Sequence, residues 1–218
     1  MVVEYPTSRF GGRGHGQVDG RELSVRAAGR AQELSPIQRS APVRGGDDVD
    51  VRPGHPGDLG GILQVYNHYV VNTACTFEVE PVNPSDREEW LAQHLGGGRH
   101  RIWVAVDGAD QVAGWATTSG FRPRAAYATT VEASVYCAPS ARGAGLGTRL
   151  YEALFGSIQG EDIARIVAGV TLPNLASVAL HRKLGFRPVG VFTAVGRKFD
   201  RYWDVEWFER PLHAEEGP

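Results

Sequence analysis

From residue 49 onward, hydrophobic residues recur with the spacing of helices in some segments and of strands in others. Apolar positions three and four residues apart predict helices over 59–70, 146–158 and 175–184. Ser85 and Glu88 have the spacing of a capping box that opens a further helix carrying Trp90, Leu91 and Leu95. Alternating or continuous apolar runs predict strands over 49–52, 101–106, 111–118, 129–137, 163–172, 188–195 and 201–208. This order predicts one mixed α/β domain over residues 49–212 and a short tail, 213–218.

Residues 1–48 follow neither spacing. Glycines are frequent near the start, and arginines are scattered throughout this stretch. Such a segment buries too little apolar surface to offset the entropy lost on ordering it. We therefore predict a disordered extension, or sequence translated ahead of the true start of the domain.

The composition excludes several classes of protein. The chain has 218 residues, of which 42% are hydrophobic and 22% charged, as in an ordinary globular protein. A formal net charge of -2 argues against a nucleic-acid partner. Cys75 and Cys137 lie in apolar segments, which favours buried free thiols over a disulfide, and the histidines lack metal-site spacing. Because no apolar run resembles a signal peptide or a membrane span, we expect a cytoplasmic protein with no membrane partner.

The most informative local feature is the glycine-rich segment 142–147, Arg-Gly-Ala-Gly-Leu-Gly, which joins a predicted strand to a predicted helix. A turn at a helix start presents unbonded backbone N–H groups and the positive end of the helix dipole, which suit a pyrophosphate. A Walker loop is disfavoured because no lysine precedes Thr148. A dinucleotide-binding turn is disfavoured because Glu161 and Asp162 precede the next strand instead of ending it.

Five segments in order resemble the GNAT family of acetyl-coenzyme A dependent N-acetyltransferases, and its phosphinothricin N-acetyltransferase-like branch in particular. They are Tyr-Asn-His-Tyr at 66–69, the strand 130–136, the glycine turn, Leu-Pro-Asn at 172–174 with Leu-Gly-Phe at 184–186, and 196–199 with 203–205. The resemblance spans roughly residues 50–212. It implies a single α/β domain with a twisted, mixed, mostly antiparallel sheet. Two central parallel strands would splay apart to admit the pantetheine arm, and helices would flank the sheet.

The resemblance also implies a site for acetyl-coenzyme A as cosubstrate; the spacing of the histidines predicts no metal beside it. The pyrophosphate would lie on the backbone N–H groups of the turn, and the last residues of the preceding strand would pair with the pantetheine amides. Asn174 would touch the cofactor arm, although it is also a plausible helix N-cap. The implied cofactor-binding residues are Val135, Tyr136, Cys137, Arg142, Gly143, Ala144, Gly145, Leu146, Gly147 and Asn174.

Two residues are candidates for proton transfer. Glu132 alternates with Ser134 and Tyr136 on one face of its strand. The rest of this strand is predicted to be buried, and an unpaired charge is costly to bury, so the carboxylate should have a partner or a function. The resemblance implies that Glu132 is the general base; the alternative is an ion pair with Arg122 or Arg124. His181 stands where many relatives carry a proton-donating tyrosine. It would protonate the leaving thiolate, or it merely fills the interface between helix and sheet.

The segment 121–127 joins two strands that lead to the implied cleft. Its two arginines suit bidentate recognition of a carboxylate or phosphinate; a solvated surface loop is the alternative. Phe77 and Trp203 are candidate pocket walls, although aromatic core packing is the default explanation for such residues. The candidate substrate-binding residues are therefore Phe121, Arg122, Arg124, Tyr127 and Phe77.

Together these implications predict an N-acetyltransferase that modifies the α-amino group of a small amino-acid-like substrate by direct transfer. Relatives suggest a homodimer. Two alternatives stay open at this stage. One is an acetyltransferase for another amine, such as a protein N-terminus or a polyamine, and the other is a non-catalytic sensor of acyl-coenzyme A.

Overall fold

A computed structural model describes residues 49–213 of the chain, so the predicted extension and nearly all of the predicted tail lie outside the described residues. The strands are β1 Val49–Pro53, β2 Ile102–Asp107, β3 Val112–Gly120, β4 Thr130–Cys137, β5 Arg165–Leu172, β6 Arg187–Lys198 and β7 Arg201–Pro211. The helices in this range are α1 Leu59–Asn72, α2 Glu88–Leu95, α3 Leu146–Ser157 and α4 Leu175–Lys183. None of them is long and apolar enough to cross a membrane. Each predicted helix and strand is confirmed, with ends that shift by a few residues.

The strands form one twisted sheet in the order β1-β2-β3-β4-β5-β7-β6. Neighbours are antiparallel except β4 and β5, which run parallel in the centre. These two pair over three positions, ending at Glu132 opposite Val167, although each strand has eight residues. Beyond Glu132 they separate. The predicted mixed sheet with splayed central strands is therefore confirmed, and a cleft opens between β4 and β5.

Helices cover both faces of the sheet and divide the core into two parts. On one face, Leu150 and Leu154 of α3 pack with Val131 and Ala133 of β4. On the other face, the apolar side of α1 packs with an aromatic group that includes Tyr136. Successive β4 residues point to opposite faces because side chains alternate along a strand. Each fully buried large apolar side chain contributes about 1.5–3 kcal/mol, so both layers hold β4 rigidly in the centre.

The predicted capping box before α2 is wrong. Ser85 lies inside a short 3-10 turn, Pro84–Asp86, and α2 begins only at Glu88. The N-cap of α2 is Arg87, whose side chain makes no capping hydrogen bond. Proline fixes its own φ near the helical value and so starts a turn by itself. Glu88 and Glu89 in the first turn of α2 complement the helix dipole in place of a cap.

Candidate active site

A cavity of about 790 Å³ occupies the cleft between the separated halves of β4 and β5. Its walls come from the end of α1 and the residues that follow it, from the last five residues of β4, from the glycine turn, and from β5 with the start of α4. Arg201 and Trp203 of β7 complete the lining. Of the predicted site residues, the wall includes Val135, Tyr136, Cys137, Arg142, Gly143, Gly145, Leu146, Gly147, Asn174 and His181.

The glycine turn is shaped by backbone conformations that side chains disfavour. Gly143 and Gly145 have φ values of 81° and 73°, in the left-handed region where glycine is preferred. Gly145 is the N-cap of α3, so the N–H groups of Leu146 and Gly147 lack intrahelical acceptors, whereas that of Thr148 already bonds to the Gly145 carbonyl oxygen. A Cβ atom at either glycine would meet no protein atom within 4 Å, which leaves the outer side of the turn open. The turn therefore exposes backbone donors beside the cavity.

Tyr69 links this turn to the end of β4. Its hydroxyl donates a hydrogen bond of 2.6 Å to the carbonyl oxygen of Cys137, and the Arg142 guanidinium lies 5.4 Å from the centre of its ring. Burial raises the pKa of Tyr69, and Arg142 partly offsets this. Tyr69 thus orients Arg142, the first residue of the turn. The segment 66–69 carries part of the family resemblance, but nothing in the sequence predicts this role for Tyr69.

Glu132 lies at the floor of the cleft, in the last paired position of β4 and β5. It is 4% exposed, and the cavity wall begins with the next residue, Ala133. The residue opposite on β3 is Ser119, whose hydroxyl contacts His94 Nε2 at 3.0 Å. Burial raises the pKa of Tyr136 well above its usual value, and the Glu132 charge adds to that increase. The structure thus places a buried carboxylate directly beneath the cavity.

His181 is the buried residue of α4, and both of its ring nitrogens lie near a hydrogen-bonding partner. Nδ1 lies 2.8 Å from the carbonyl oxygen of Ser177, and because a carbonyl only accepts, Nδ1 carries the proton. Nε2 faces the hydroxyl of Tyr151 at 3.4 Å and is the acceptor in the neutral ring. Burial lowers the pKa of His181 to about 4. The imidazole is therefore neutral at pH 7, and its Nε2 holds no proton to donate. Its predicted role as a proton donor stays a prediction that this geometry does not favour.

Cys75 and Cys137 are free, as predicted, but half-buried instead of fully buried. Burial raises the pKa of Cys137 to about 11, so it is a protonated thiol at neutral pH and a poor nucleophile. Cys75 lines the cavity, and its sulfur accepts a 3.5 Å hydrogen bond from the side chain of Asn174. Asn174 also caps α4 by accepting from the backbone of Ser177, which confirms its predicted N-cap role. Within residues 49–213, no three potential metal ligands cluster closely enough to hold a metal ion.

The predicted arginine segment, 121–127, forms the loop between β3 and β4. Arg122, Arg124 and Tyr127 are exposed, while Phe121 packs against Tyr127 and Trp207. The cavity wall includes none of the predicted residues of this loop. The loop nevertheless enters β4 at Thr130, the same end of the strand that carries Glu132.

The hairpin of β6 and β7 covers the loop that follows α1. A Cβ atom built at Gly196 would lie only 2.0 Å from the Phe77 ring, so Phe77 packs directly on the hairpin backbone. The Lys198 ammonium donates a 2.8 Å hydrogen bond to the carbonyl oxygen of Thr76. Trp203 lines the cavity, whereas Phe77 is not part of the cavity wall. Sequence reasoning missed Arg201, whose guanidinium stacks 3.9 Å from the centre of the Trp203 ring.

The order of these parts matches a known family. Residues 64–186 match the model of the acetyltransferase (GNAT) family. The chain belongs to the GNAT family of acetyltransferases. It is 49% identical to a phosphinothricin N-acetyltransferase of Streptomyces coelicolor over 76% of this chain and 97% of the relative. It is 36% identical to an L-methionine sulfoximine/L-methionine sulfone acetyltransferase of Pseudomonas aeruginosa over 75% of this chain and 95% of the relative.

Solved structures agree with this assignment. A phosphinothricin acetyltransferase of Sinorhizobium meliloti in complex with AcCoA superposes on this acetyltransferase with a TM-score of 0.72 and 32% identity. The match covers 76% of this chain and 89% of that structure. The resemblance drawn from the sequence, the fold and the N-acetyltransferase class are confirmed.

Proposed function

We propose that this enzyme transfers the acetyl group of acetyl-coenzyme A to the α-amino group of a small amino-acid-like substrate, of the phosphinothricin or methionine sulfoximine and sulfone type. The observation that carries the proposal is the cleft itself, with a buried carboxylate at its floor and bare backbone donors at its mouth. The names of the two relatives support the substrate class.

Acetyl-coenzyme A supplies the thioester in this proposal. Its pyrophosphate is held by backbone N–H groups of residues 143–147, including that of Ala144, and by the Arg142 guanidinium. The pantetheine arm lies along Val135, Tyr136 and Cys137, where β4 has lost its partner β5 and its backbone groups on that side face the cavity. Asn174 borders the same path from the start of α4. The bare donors and the unpaired strand edge fit a long, amide-bearing, anionic cosubstrate.

The reaction needs two proton movements. The substrate ammonium first gives one proton to Glu132, and the neutral amine then attacks the thioester carbonyl carbon. A C–N bond forms and the C–S bond breaks. The nitrogen loses its second proton as the coenzyme A sulfur gains one, so the products are the amide and the free thiol. Direct transfer suits the structure because the thiol of Cys137 has a raised pKa and is a poor nucleophile.

The amino-acid-like substrate would be bound in part by the loop between β3 and β4. Arg122 and Arg124 would bind the substrate carboxylate or phosphinate, and they disfavour a cationic polyamine. The exposure of both guanidinium groups means that they reach substrate only if it extends from the cleft toward the loop. Phe121 and Tyr127 would provide apolar contacts beside these arginines, outside the cavity wall, and Phe77 would support the hairpin that carries Trp203.

A homodimer is part of the same proposal. The outermost strand, β6, carries exposed apolar side chains, and a second copy would cover them. Among these residues are Val189 at 59%, Val191 at 46%, Phe192 at 57% and Val195 at 54% exposure.

Replacing Gly145 with valine should raise the apparent KM for acetyl-coenzyme A at least tenfold, about 1.4 kcal/mol. A β-branched residue disfavours the left-handed backbone that Gly145 adopts, so the turn shifts and its N–H groups no longer converge. Initial rates at varied acetyl-coenzyme A measure the effect. Gly97→Val is the matched control because Gly97 has a similar φ of 84° and lies outside the cavity wall. Equal KM values for acetyl-coenzyme A in the two variants would show that the turn does not bind the cosubstrate.

A thiol-release assay over a panel of amines tests the proposed function as a whole. We expect coenzyme A release with phosphinothricin, methionine sulfoximine or methionine sulfone, and little with spermidine or a peptide N-terminus. Release with the peptide alone would move the acceptor class to protein N-termini. No release with any amine, while acetyl-coenzyme A still binds, would indicate a sensor and overturn the proposal.

A further inference from the structure

Two buried hydroxyl groups on β4 have no role in the mechanism above. Ser134 is 2% exposed and Tyr136 is 5% exposed, and both line the cavity. Neither Ser134 Oγ nor Tyr136 Oη has a hydrogen-bond partner among residues 49–213. An unsatisfied buried hydroxyl destabilises the fold, whereas alanine or phenylalanine would fit the same space without that cost. The two groups therefore need a partner from outside residues 49–213.

Both hydroxyls lie on the strand face that carries Glu132. Pairing between β3 and β4 is regular from Val131 to Cys137, so Glu132, Ser134 and Tyr136 follow one another on a single face. Consecutive members of this row are about 6.6 Å apart along the strand. A water molecule with two hydrogen bonds of about 2.8 Å can bridge two oxygen atoms roughly 5 Å apart. Side-chain oxygens on neighbouring members of the row come within this distance where the side chains lean toward each other.

The position of Glu132 calls for an intermediary. The carboxylate lies one residue below the start of the cavity wall on β4, whereas Ser134 and Tyr136 form part of that wall. On β4, the residues that carry the two hydroxyls thus border the cavity, and Glu132 does not. Tyr136 is held by edge contacts with Tyr66 and Tyr69, with ring centres 5.2 and 5.3 Å away, so its hydroxyl has a fixed direction.

In the row Glu132, Ser134 and Tyr136, the two hydroxyl groups are uncharged and Glu132 is the base. Burial raises the pKa of Tyr136 well above the usual value, so its hydroxyl keeps its proton and can donate as well as accept. Serine does the same at any ordinary pH. A row of groups that both accept and donate conducts a proton without changing its own charge.

We propose that Ser134 and Tyr136 bind the acceptor's primary amine and, with bound water, pass its proton to Glu132. This inference rests on the proposed function and deepens it, because it defines the amine subsite of the same cleft. The ammonium loses one proton, each hydroxyl accepts one and releases one, and Glu132 gains one. No bond other than O–H and N–H changes in this step.

The test compares Ser134→Ala, Tyr136→Phe and the double variant with wild type, using acetyl-coenzyme A and methionine sulfone. Each single variant should lower kcat about tenfold while the KM for acetyl-coenzyme A stays within twofold. The double variant should lose far less than the product of the two single losses, because both residues serve one relay. Ser157→Ala, on α3 and outside the cavity wall, is the control and should keep wild-type kcat.

Stability separates a relay from a structural role. Removing an unpartnered hydroxyl should leave the melting temperature unchanged or raise it. By contrast, Tyr66→Phe should lower it, because Tyr66 Oη has a 2.7 Å hydrogen bond with Thr76 Oγ1. Wild-type kcat in both β4 variants, or a fall in their melting temperature without a fall in kcat, would overturn the relay.

The same experiment distinguishes failure of the relay from failure of the proposed function. A wild-type enzyme that releases thiol, alongside fully active Ser134→Ala and Tyr136→Phe variants, overturns the relay only. A wild-type enzyme that releases no thiol with any amine overturns both.

Discussion

Glu132→Gln should lower kcat by about 10² to 10⁴, the usual contribution of a general base. Glutamine keeps the shape of the side chain and removes its basicity, so the effect isolates proton transfer. The KM for acetyl-coenzyme A should barely move, because the glycine turn lies at the other end of the cleft. Raising the pH should partly restore the rate, since the amine then loses its proton to solvent. Steady-state kinetics from pH 6 to pH 10 measure all three effects.

The control for this substitution is Glu161→Gln. Glu161 forms a 3.1 Å ion pair with Arg101 and lies outside the cavity wall, so the same chemical change there should leave kcat intact. If Glu132 only balances Arg122 or Arg124, its substitution would weaken substrate binding or stability and leave the pH profile of kcat unchanged. A wild-type kcat and pH profile would refute the catalytic role.

The fold follows from sequence features that are local and strong. The spacing of apolar residues predicts each helix and strand. The glycines at 143 and 145 mark the turn from β4 to α3, because that turn needs a left-handed backbone. The splay of β4 and β5 is different in kind. Pairing stops after Glu132 although both strands continue, and nothing in the apolar pattern marks that point. Only the family resemblance predicted it.

The cavity wall was less predictable because it is assembled from distant segments. Cys75, Arg201 and Tyr69 border the site through contacts that span many residues, such as the bond from Tyr69 to Cys137. No local spacing identifies such residues. The capping box failed for a related reason, since Pro84 started a separate turn that the motif alone does not show. Hydrogen-bond satisfaction, which singles out Ser134 and Tyr136, is likewise visible only in three dimensions.

The protonation state of His181 was also beyond the sequence. An unperturbed histidine titrates near pH 6.5 and would be partly charged at neutral pH. In the folded chain the ring is 3% exposed, and it packs between Phe186 and Phe208 with Nδ1 bonded to Ser177. Desolvation disfavours the charged ring and lowers its pKa to about 4. His181 is thus suited to accept a hydrogen bond from Tyr151 instead of donating a proton to the leaving sulfur.

This low pKa makes stability depend on pH in a definite direction. Between about pH 6.5 and pH 4 the unfolded chain binds a proton at residue 181 and the folded chain does not, so stability is full above pH 6.5 and falls as the pH drops. The loss from pH 7.5 to pH 4.5 should be about 2.5 kcal/mol. Urea unfolding at the two pH values measures it, as a midpoint shift of roughly 1 to 2 M attributable to this residue.

His181→Gln should be less stable than wild type at pH 7.5 because it loses ring packing, but its further loss toward pH 4.5 should be smaller by about the same 2.5 kcal/mol. Other titrating groups contribute equally to both proteins, so the difference isolates residue 181. Phe186→Leu, which removes a neighbouring ring without a titrating group, should shift stability by a similar amount at both pH values. Parallel pH curves for wild type and His181→Gln would show that His181 titrates normally in the fold, and would make it available again as the acid that protonates the coenzyme A thiolate.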